Sequence, residues 1–175
     1  MDPGNEVVIT VDEQNRETGK ISRRQMRVRK LIHRASYILV FNRAGELFLQ
    51  KRTAAKDIYP SHYDVAAGGV VLAGESYEES ARRELHEELG LEVADLQYLF
   101  DHFYRDADNA VWGRVFCCVH DGPFVLQAEE IESGEFKPIA EVLDRSRTAP
   151  FTPDGVEILR KYAERKQNDT KENEK

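Results

Sequence analysis

The stretch that decides the reading of this chain is Gly69–Leu91, GVVLAGESYEESARRELHEELGL. Ser76 followed three residues later by Glu79 is a capping box, in which each side chain satisfies the other's backbone N–H. Gly90 then supplies the left-handed residue that ends a helix. Between them Ala81, Leu85 and Leu89 recur every four residues, which predicts an amphipathic helix over 76–89 with those three facing a core. Glu84, Glu87 and Glu88 stand at i, i+3 and i+4 and so share one helical face. Like charges at that spacing destabilise a helix unless a positive group offsets them, and Arg83, one turn before Glu87, is placed to do so, with Arg82 beside it. Three carboxylates on one face are otherwise a solvated acidic surface, or the oxygen donors that a hard divalent ion such as Mg²⁺ or Mn²⁺ selects.

Outward from this helix the pattern alternates between strands and helices. Val7–Val11 reads as a strand, 12–16 as a turn, and Thr18–Ile21 as its returning partner. Ser22 can cap a short basic helix from Arg23. Ser36–Phe41 is an apolar run typical of a buried strand, Asn42–Gly45 a hairpin turn, and Glu46–Arg52 the next strand. After the helix, strands are expected over Asp95–Tyr104 and Val111–Val119, with shorter ones near Phe124–Gln127 and near Phe136. A short helix should hold Val142 and Leu143, and a last one should start at Thr152-Pro153, with proline at its first position, and end near Lys166. Gln167–Lys175 is polar and aperiodic and is expected to be a disordered tail. Strands on both sides of the central helix give a mixed α/β or α+β class, in one domain over 1–166.

The chain has 175 residues, 41% hydrophobic and 33% charged, with 25 Lys and Arg against 32 Asp and Glu, a net charge of −7. That size suits one domain. The acidic balance disfavours long nucleic acid, which needs a basic surface. Eight Lys or Arg and no acid lie between Thr18 and Gly45, a local patch that reads either as a solvated helix or as an attractor for anions. The two cysteines, Cys117 and Cys118, are sequence neighbours and point to opposite faces of a strand, so they form no disulfide framework. The N-terminus lacks the basic and apolar regions of a signal peptide, and no apolar run approaches membrane-spanning length. A soluble, cytoplasmic protein is expected.

The spacing Gly69, Glu75, Arg83-Glu84-Leu85, Glu87-Glu88 and Gly90-Leu91 resembles the Nudix box at every defined position. The resemblance implies an α/β/α sandwich with a mixed sheet and the box helix on one face. It implies too a Mg²⁺- or Mn²⁺-dependent hydrolase of a nucleoside diphosphate linked to a further group. Carried over by position, Glu87 and Glu88 are the main metal ligands and Glu84 a further ligand or the base. The carbonyl near Gly68 is another ligand, Arg83 orients the glutamates, and Glu75 closes the loop or binds a second metal. Glu129 and Glu130 are candidate bases outside the box.

Beyond the box, Val11-Asp12-Glu13 with Gly19, His33-Arg34-Ala35, Gln50-Lys51-Arg52 and Lys56-Asp57-Ile58-Tyr59-Pro60 are similar to isopentenyl-diphosphate isomerases and their bacterial hydrolase-like relatives. That similarity implies that Arg52 and Lys56 hold the substrate's diphosphate. The isomerases need Cys-Gly-His where this chain has Ala67-Gly68-Gly69, and alanine cannot transfer a proton at an allylic carbon. The alternatives to hydrolysis are an isomerase-like activity and a non-catalytic domain that binds a diphosphate ligand. His33 reads as a core histidine at a strand start. Trp112, Phe103 and Tyr104 read as core or as the wall of a pocket for a base or an isoprenoid. The N-terminal hairpin is a candidate homodimer surface.

Overall fold

The computed structural model describes residues 2–173. In chain order its elements are β1 (Val7–Val11), β2 (Glu17–Ser22), α1 (Arg23–Val28), β3 (His33–Phe41), β4 (Leu47–Arg52), β5 (Tyr63–Asp64), α2 (Tyr77–Leu89), β6 (Gln97–Arg105), β7 (Ala110–Val119), β8 (Ile131–Lys137), α3 (Ile139–Arg145) and α4 (Pro153–Asn173). Helices and antiparallel strand pairs together make an α+β fold. Among the described residues the β1–β2, β1–β3, β3–β4, β4–β5, β4–β8 and β6–β7 pairs are antiparallel, β7 also pairs with β3, and Tyr63 meets Phe151 in an isolated parallel bridge. The chain gathers into two compact units, one formed by the chain up to Ile38 with Ala67–Cys118, the other by Leu39–Ala66 with Val119 onward.

In the first unit β1 and β2 form a hairpin from Val7↔Ser22 to Val11↔Glu17, with an irregularity at Thr10/Val11. β6 and β7 pair from Gln97↔Cys117 to Arg105↔Ala110, with a bulge between Tyr98 and Phe100. Residues 67–72 run as an extended segment, bridged through Ala67 to Ile38, Val70 to Ala35 and Leu72 to Val8. The apolar stripe of α2 behaves as its spacing requires, since Ala81, Leu85 and Leu89 are wholly buried. Met26 of α1 packs with Val8 and Val70, which fixes α1 by its one buried residue while Val28 stays exposed. The basic patch is largely paired. Arg23 bonds Glu6 at 3.0 Å, Arg34 bonds Glu17 at 3.2 Å, Lys30 meets Asp108 at 3.2 Å, and Arg24 pairs with Asp2.

In the second unit β4 is central, pairing with β8 from Leu47↔Lys137 to Arg52↔Ile131 and with β5 through Gln50↔Asp64. Gly134 lies flat beneath the ring of Phe48, where a Cβ would collide with the ring tip. The strand expected near Phe124–Gln127 does not form. Pro123 has no N–H to give a ladder, and Phe124 packs its ring on Phe48 and Phe136, with centroids at 4.4 and 5.7 Å. The expected disordered tail is also corrected, because α4 continues helical to Asn173. Gln167, Lys171 and Glu172 are polar enough to read as disorder yet are good helix formers, and the turns of α4 already nucleated before them carry the weaker formers Asn168, Asp169 and Thr170 along. The last two residues of that expected tail lie outside the described residues.

His33 is a core residue, 2% exposed, with its Nδ1–H donating to the Leu31 carbonyl at 3.3 Å. Burial, reinforced by the nearby Arg27 and Arg23 charges, pulls its pKa down to about 3. The unfolded chain takes up this proton below the ordinary value near 6.5, whereas the folded chain refuses it until about pH 3. Between those values unfolding binds a proton, so stability falls on acidification by up to about 1.4 kcal/mol per pH unit. Urea melts at pH 6.5 and pH 5 are expected to show the parent chain losing roughly 2 kcal/mol more than His33→Asn. Leu85→Ala is expected to cost about 2–5 kcal/mol, seen as a fall of roughly 4 °C or more in Tm.

Candidate functional site

The geometry of α2 begins with its ends. Ser76 Oγ accepts the Glu79 N–H at 3.1 Å, and the Glu79 carboxylate accepts the Ser76 N–H at 2.8 Å. Gly90 closes the helix at φ 66°. With both ends fixed and three residues sunk in the core, the azimuth of every other α2 side chain is set. Ser80, wholly buried, hydrogen-bonds Ser36 at 3.1 Å and ties the helix to β3.

On that fixed helix the acidic residues gather around one guanidinium. Arg83 donates through Nε and Nη2 to the two oxygens of Glu75 at 2.6 and 3.0 Å, and through Nη1 to Glu84 at 2.7 Å and Glu87 at 3.2 Å. Nη2 also reaches the Val70 carbonyl at 3.2 Å. Glu75 in turn accepts the Leu72 N–H at 3.0 Å, closing the loop before the helix. Burial opposes ionisation of Glu75, but the hydrogen bonds from Arg83 outweigh it and hold the carboxyl below the usual range. Desolvation works against the Arg83 charge too, and Glu75 and Glu84 overcome it, so Arg83 stays protonated throughout. Glu84 is different, since burial pushes its carboxyl up despite Arg83.

Two glycines let the preceding loop approach. A Cβ on Gly69 would fall on the Glu84 carboxylate, and one on Gly68, at φ 141°, would fall on the Ser36 carbonyl. Gly68 donates its N–H to Glu88 at 3.0 Å. Its amide therefore faces that buried carboxylate. Among the described residues no three carboxylate, histidine or cysteine groups converge into a metal nest. By donor type the set nonetheless fits a hard divalent ion, being all carboxylate oxygen on one helical turn and partly stripped of water. Arg83 occupies the role of the offsetting cation in this conformation.

The expected box residues Glu75, Arg83, Glu84, Glu87, Glu88 and Gly68 are thus brought together in the first unit. Arg52 and Lys56 belong to the second. Arg52 donates to the Ile58 carbonyl at 2.8 Å, the Tyr59 carbonyl at 3.2 Å and Asp64 at 3.2 Å, and so holds the loop that follows β4. Lys56 forms an ion pair with Glu130, and Thr53 bonds the Glu129 carbonyl at 2.7 Å. Sequence reading missed Asp64, which also accepts from Thr152 at 3.1 Å, because no local spacing links residues so far apart in the chain. The aromatic expectation divides, with Tyr104 buried and Trp112 packed on Phe103 at 5.2 Å, its Nε1–H donating to the Glu13 carbonyl.

The NUDIX domain model matches residues 31–162. An uncharacterized Nudix hydrolase of Pseudomonas aeruginosa is 45% identical over 90% of this chain and 93% of its own length. The uncharacterized Nudix hydrolase YfcD of Escherichia coli is 39% identical over 91% and 88%. Among solved structures, DR0079 from Deinococcus radiodurans superposes with a TM-score of 0.80 at 26% identity, covering 89% of this chain and 98% of that one.

Gly69→Ala is expected to cost about 1–3 kcal/mol by overpacking against Glu84. Thermal melts of Gly69→Ala, Glu84→Ala and the double variant should show the two effects to be non-additive by about 0.5 kcal/mol or more, because removing the carboxylate restores the space.

Proposed function

This chain belongs to the Nudix hydrolase family, whose members act on diphosphate-containing substrates and generally use divalent metals, and within it we propose that it hydrolyses the diphosphate linkage of a small molecule of the type nucleoside diphosphate joined to a further group, with Mg²⁺ or Mn²⁺. The observation that carries this reading is the arrangement of Glu75, Glu84 and Glu87 around Arg83, with Glu88 seated on the Gly68 amide. A surface of merely solubilising glutamates would not bury Glu88, hold Glu84 to 12% exposure and draw four of an arginine's hydrogen bonds onto three carboxylates.

In this reading Glu84, Glu87 and Glu88 hold the metal, with Glu75 or the Gly68 backbone as further contributors. When bound, the ion neutralises phosphate oxygens and lowers the pKa of water. The chain's own residues do the rest. Arg83 keeps the carboxylates apart and aimed, and its hydrogen bonds to Glu75 hold the loop against the helix. Glu84, or Glu129 or Glu130 outside the box, takes the proton from the attacking water. The water oxygen bonds to one phosphorus as the bridging P–O bond breaks, and the second phosphate leaves. Arg52 and Lys56 are proposed to hold the diphosphate. Lys56 supplies a point charge whose Glu130 partner a phosphate oxygen can replace, and Arg52 shapes the loop that carries it. An isomerase-like activity lacks its thiol at Ala67, and no observation favours a domain that only binds.

Within the described residues no helix is long and apolar enough to cross a membrane. We propose a single catalytic domain over 1–166, cytoplasmic, acting on a small molecule rather than on long nucleic acid, with the N-terminal hairpin as the surface for a homodimer. Glu87→Gln and Glu88→Gln should each lower metal-dependent phosphate release from a diphosphate panel by about a hundredfold or more. Both should keep the parent Tm within a few degrees, since glutamine at 88 still accepts from Gly68. Unchanged turnover in both variants would remove the site assignment. Labelling with ¹⁸O-water locates the attacked phosphorus.

A further inference from the structure

A second feature of the first unit is not used by the hydrolytic site. Beside the N-terminal end of α2 is a cleft of about 490 Å³, lined by Ser76, Tyr77, Glu78, Tyr98, Arg114 and Phe116, a size in the range that holds small molecules. We propose that this cleft is a stacking site for a planar nitrogen heterocycle, and that its occupant is the base of a nucleoside. As the seat for the nucleoside half of the substrate it rests on the hydrolase reading above. As a base-binding site it stands without it.

The walls of the cleft specify that chemistry. Arg114 and Phe116 alternate onto one face of β7, and the register sets Asp101 opposite Arg114 and Tyr98 opposite Phe116. Asp101 takes both ends of the Arg114 fork, at 2.8 and 2.9 Å. This offsets its charge and commits Nε–H and one Nη2–H, and the guanidinium lies as a flat plate with its central carbon 4.6 Å from the centre of the Tyr77 ring and 5.4 Å from that of Tyr98. Tyr77 is itself pinned, donating to the Trp112 carbonyl at 3.2 Å and accepting from Asn15 at 3.3 Å. Tyr98 is 54% exposed, with Phe116 set edge-on at 6.4 Å and 73° to steady it. An aromatic ring held rigid at its edge, with much of its surface in water, gains most from a flat partner.

Charge narrows the occupant further. A phosphate entering the cleft would meet an arginine whose charge Asp101 offsets and, at the rim, the exposed Glu78 carboxylate, whose Oε1 takes two Arg82 N–H groups at 3.2 and 2.9 Å, so the lining offers no unbalanced positive charge to draw an anion. An aliphatic chain would gain area but leave the guanidinium plate unused. A base presenting amino N–H donors satisfies both features, stacking on Tyr98 and donating to Glu78 at the rim.

The test titrates the full chain, with Mg²⁺ present, with adenosine, guanosine and cytidine, followed by calorimetry or by NMR shifts. The same titration with ribose 5-phosphate, which has the sugar and charge but no base, is the control. Saturable nucleoside binding is expected, weakened about tenfold or more in Tyr98→Ala and retained in Tyr98→Phe, with no response to ribose 5-phosphate. Tyr98 is exposed enough that its loss should leave the fold intact, which a melt of the variant verifies. Absence of saturable binding by all three nucleosides, binding unaltered in Tyr98→Ala, or equal binding of ribose 5-phosphate would overturn the proposal. The two readings fail separately. A chain that hydrolyses diphosphates but binds no nucleoside loses only the cleft, and one that binds nucleosides but hydrolyses nothing loses only the hydrolase reading.

Discussion

Three glutamates, Glu75 from the loop and Glu84 and Glu87 from α2, gather around the single guanidinium of Arg83, with Glu88 beside them on the Gly68 amide, and the charge balance of that group constrains everything near it. Carboxylates at i, i+3 and i+4 repel, and of the three Glu88 is buried and the Glu84 side chain is only 12% exposed, where repulsion is screened least. Arg83 makes the arrangement tolerable by giving a hydrogen bond to three of the carboxylates and to a backbone carbonyl. Its Glu75 partner carries the effect into the loop, because the same carboxylate accepts the Leu72 amide. Helix and loop therefore form one electrostatic object. A divalent cation would meet the same demand, and members of the Nudix family generally use one.

Close approach of backbone is the complementary constraint. Residues 68 and 69 pass so near Ser36 and Glu84 that neither can carry a side chain, and Gly68 adopts a conformation that L-residues avoid. The closeness is what desolvates Glu84 and brings an amide to Glu88. Ser36 and Ser80, meeting in the core, hold helix and strand at that separation. The net charge of −7 takes on a different meaning here. Four of the acids are held on the Nudix helix and loop, most of the basic patch is already paired, and the acidic excess is no measure of how the site meets a phosphate.

The box was readable because its chemistry is local. Capping, the apolar stripe and the acidic face all repeat within one helix, so short-range spacing in the chain maps directly onto space. Strand positions followed for the same reason wherever an apolar run was bounded by turn residues. The two elements that were misread share a cause. Phe124–Gln127 has strand-like residues, but its ring is held by Phe48 and Phe136, and the far end of α4 has a polar composition shared by disorder and by helix. In both, a partner or a preceding turn decides the outcome, and neither is visible in a short window.

The sequence by itself determined the helix, its caps, the carboxylate face, the cation that offsets it and the family to which the chain belongs, since all of these depend on spacing along one segment. Only the tertiary structure decided which carboxylates lose water, that Arg83 gives its donors to three of them, that Arg52 shapes a loop through the Ile58 and Tyr59 carbonyls and Asp64, and that Tyr98 and Arg114 wall a cleft. Those outcomes depend on residues tens of positions apart being brought within a few ångströms. Burial and hydrogen-bond partnership are properties of that proximity, and no local pattern encodes them.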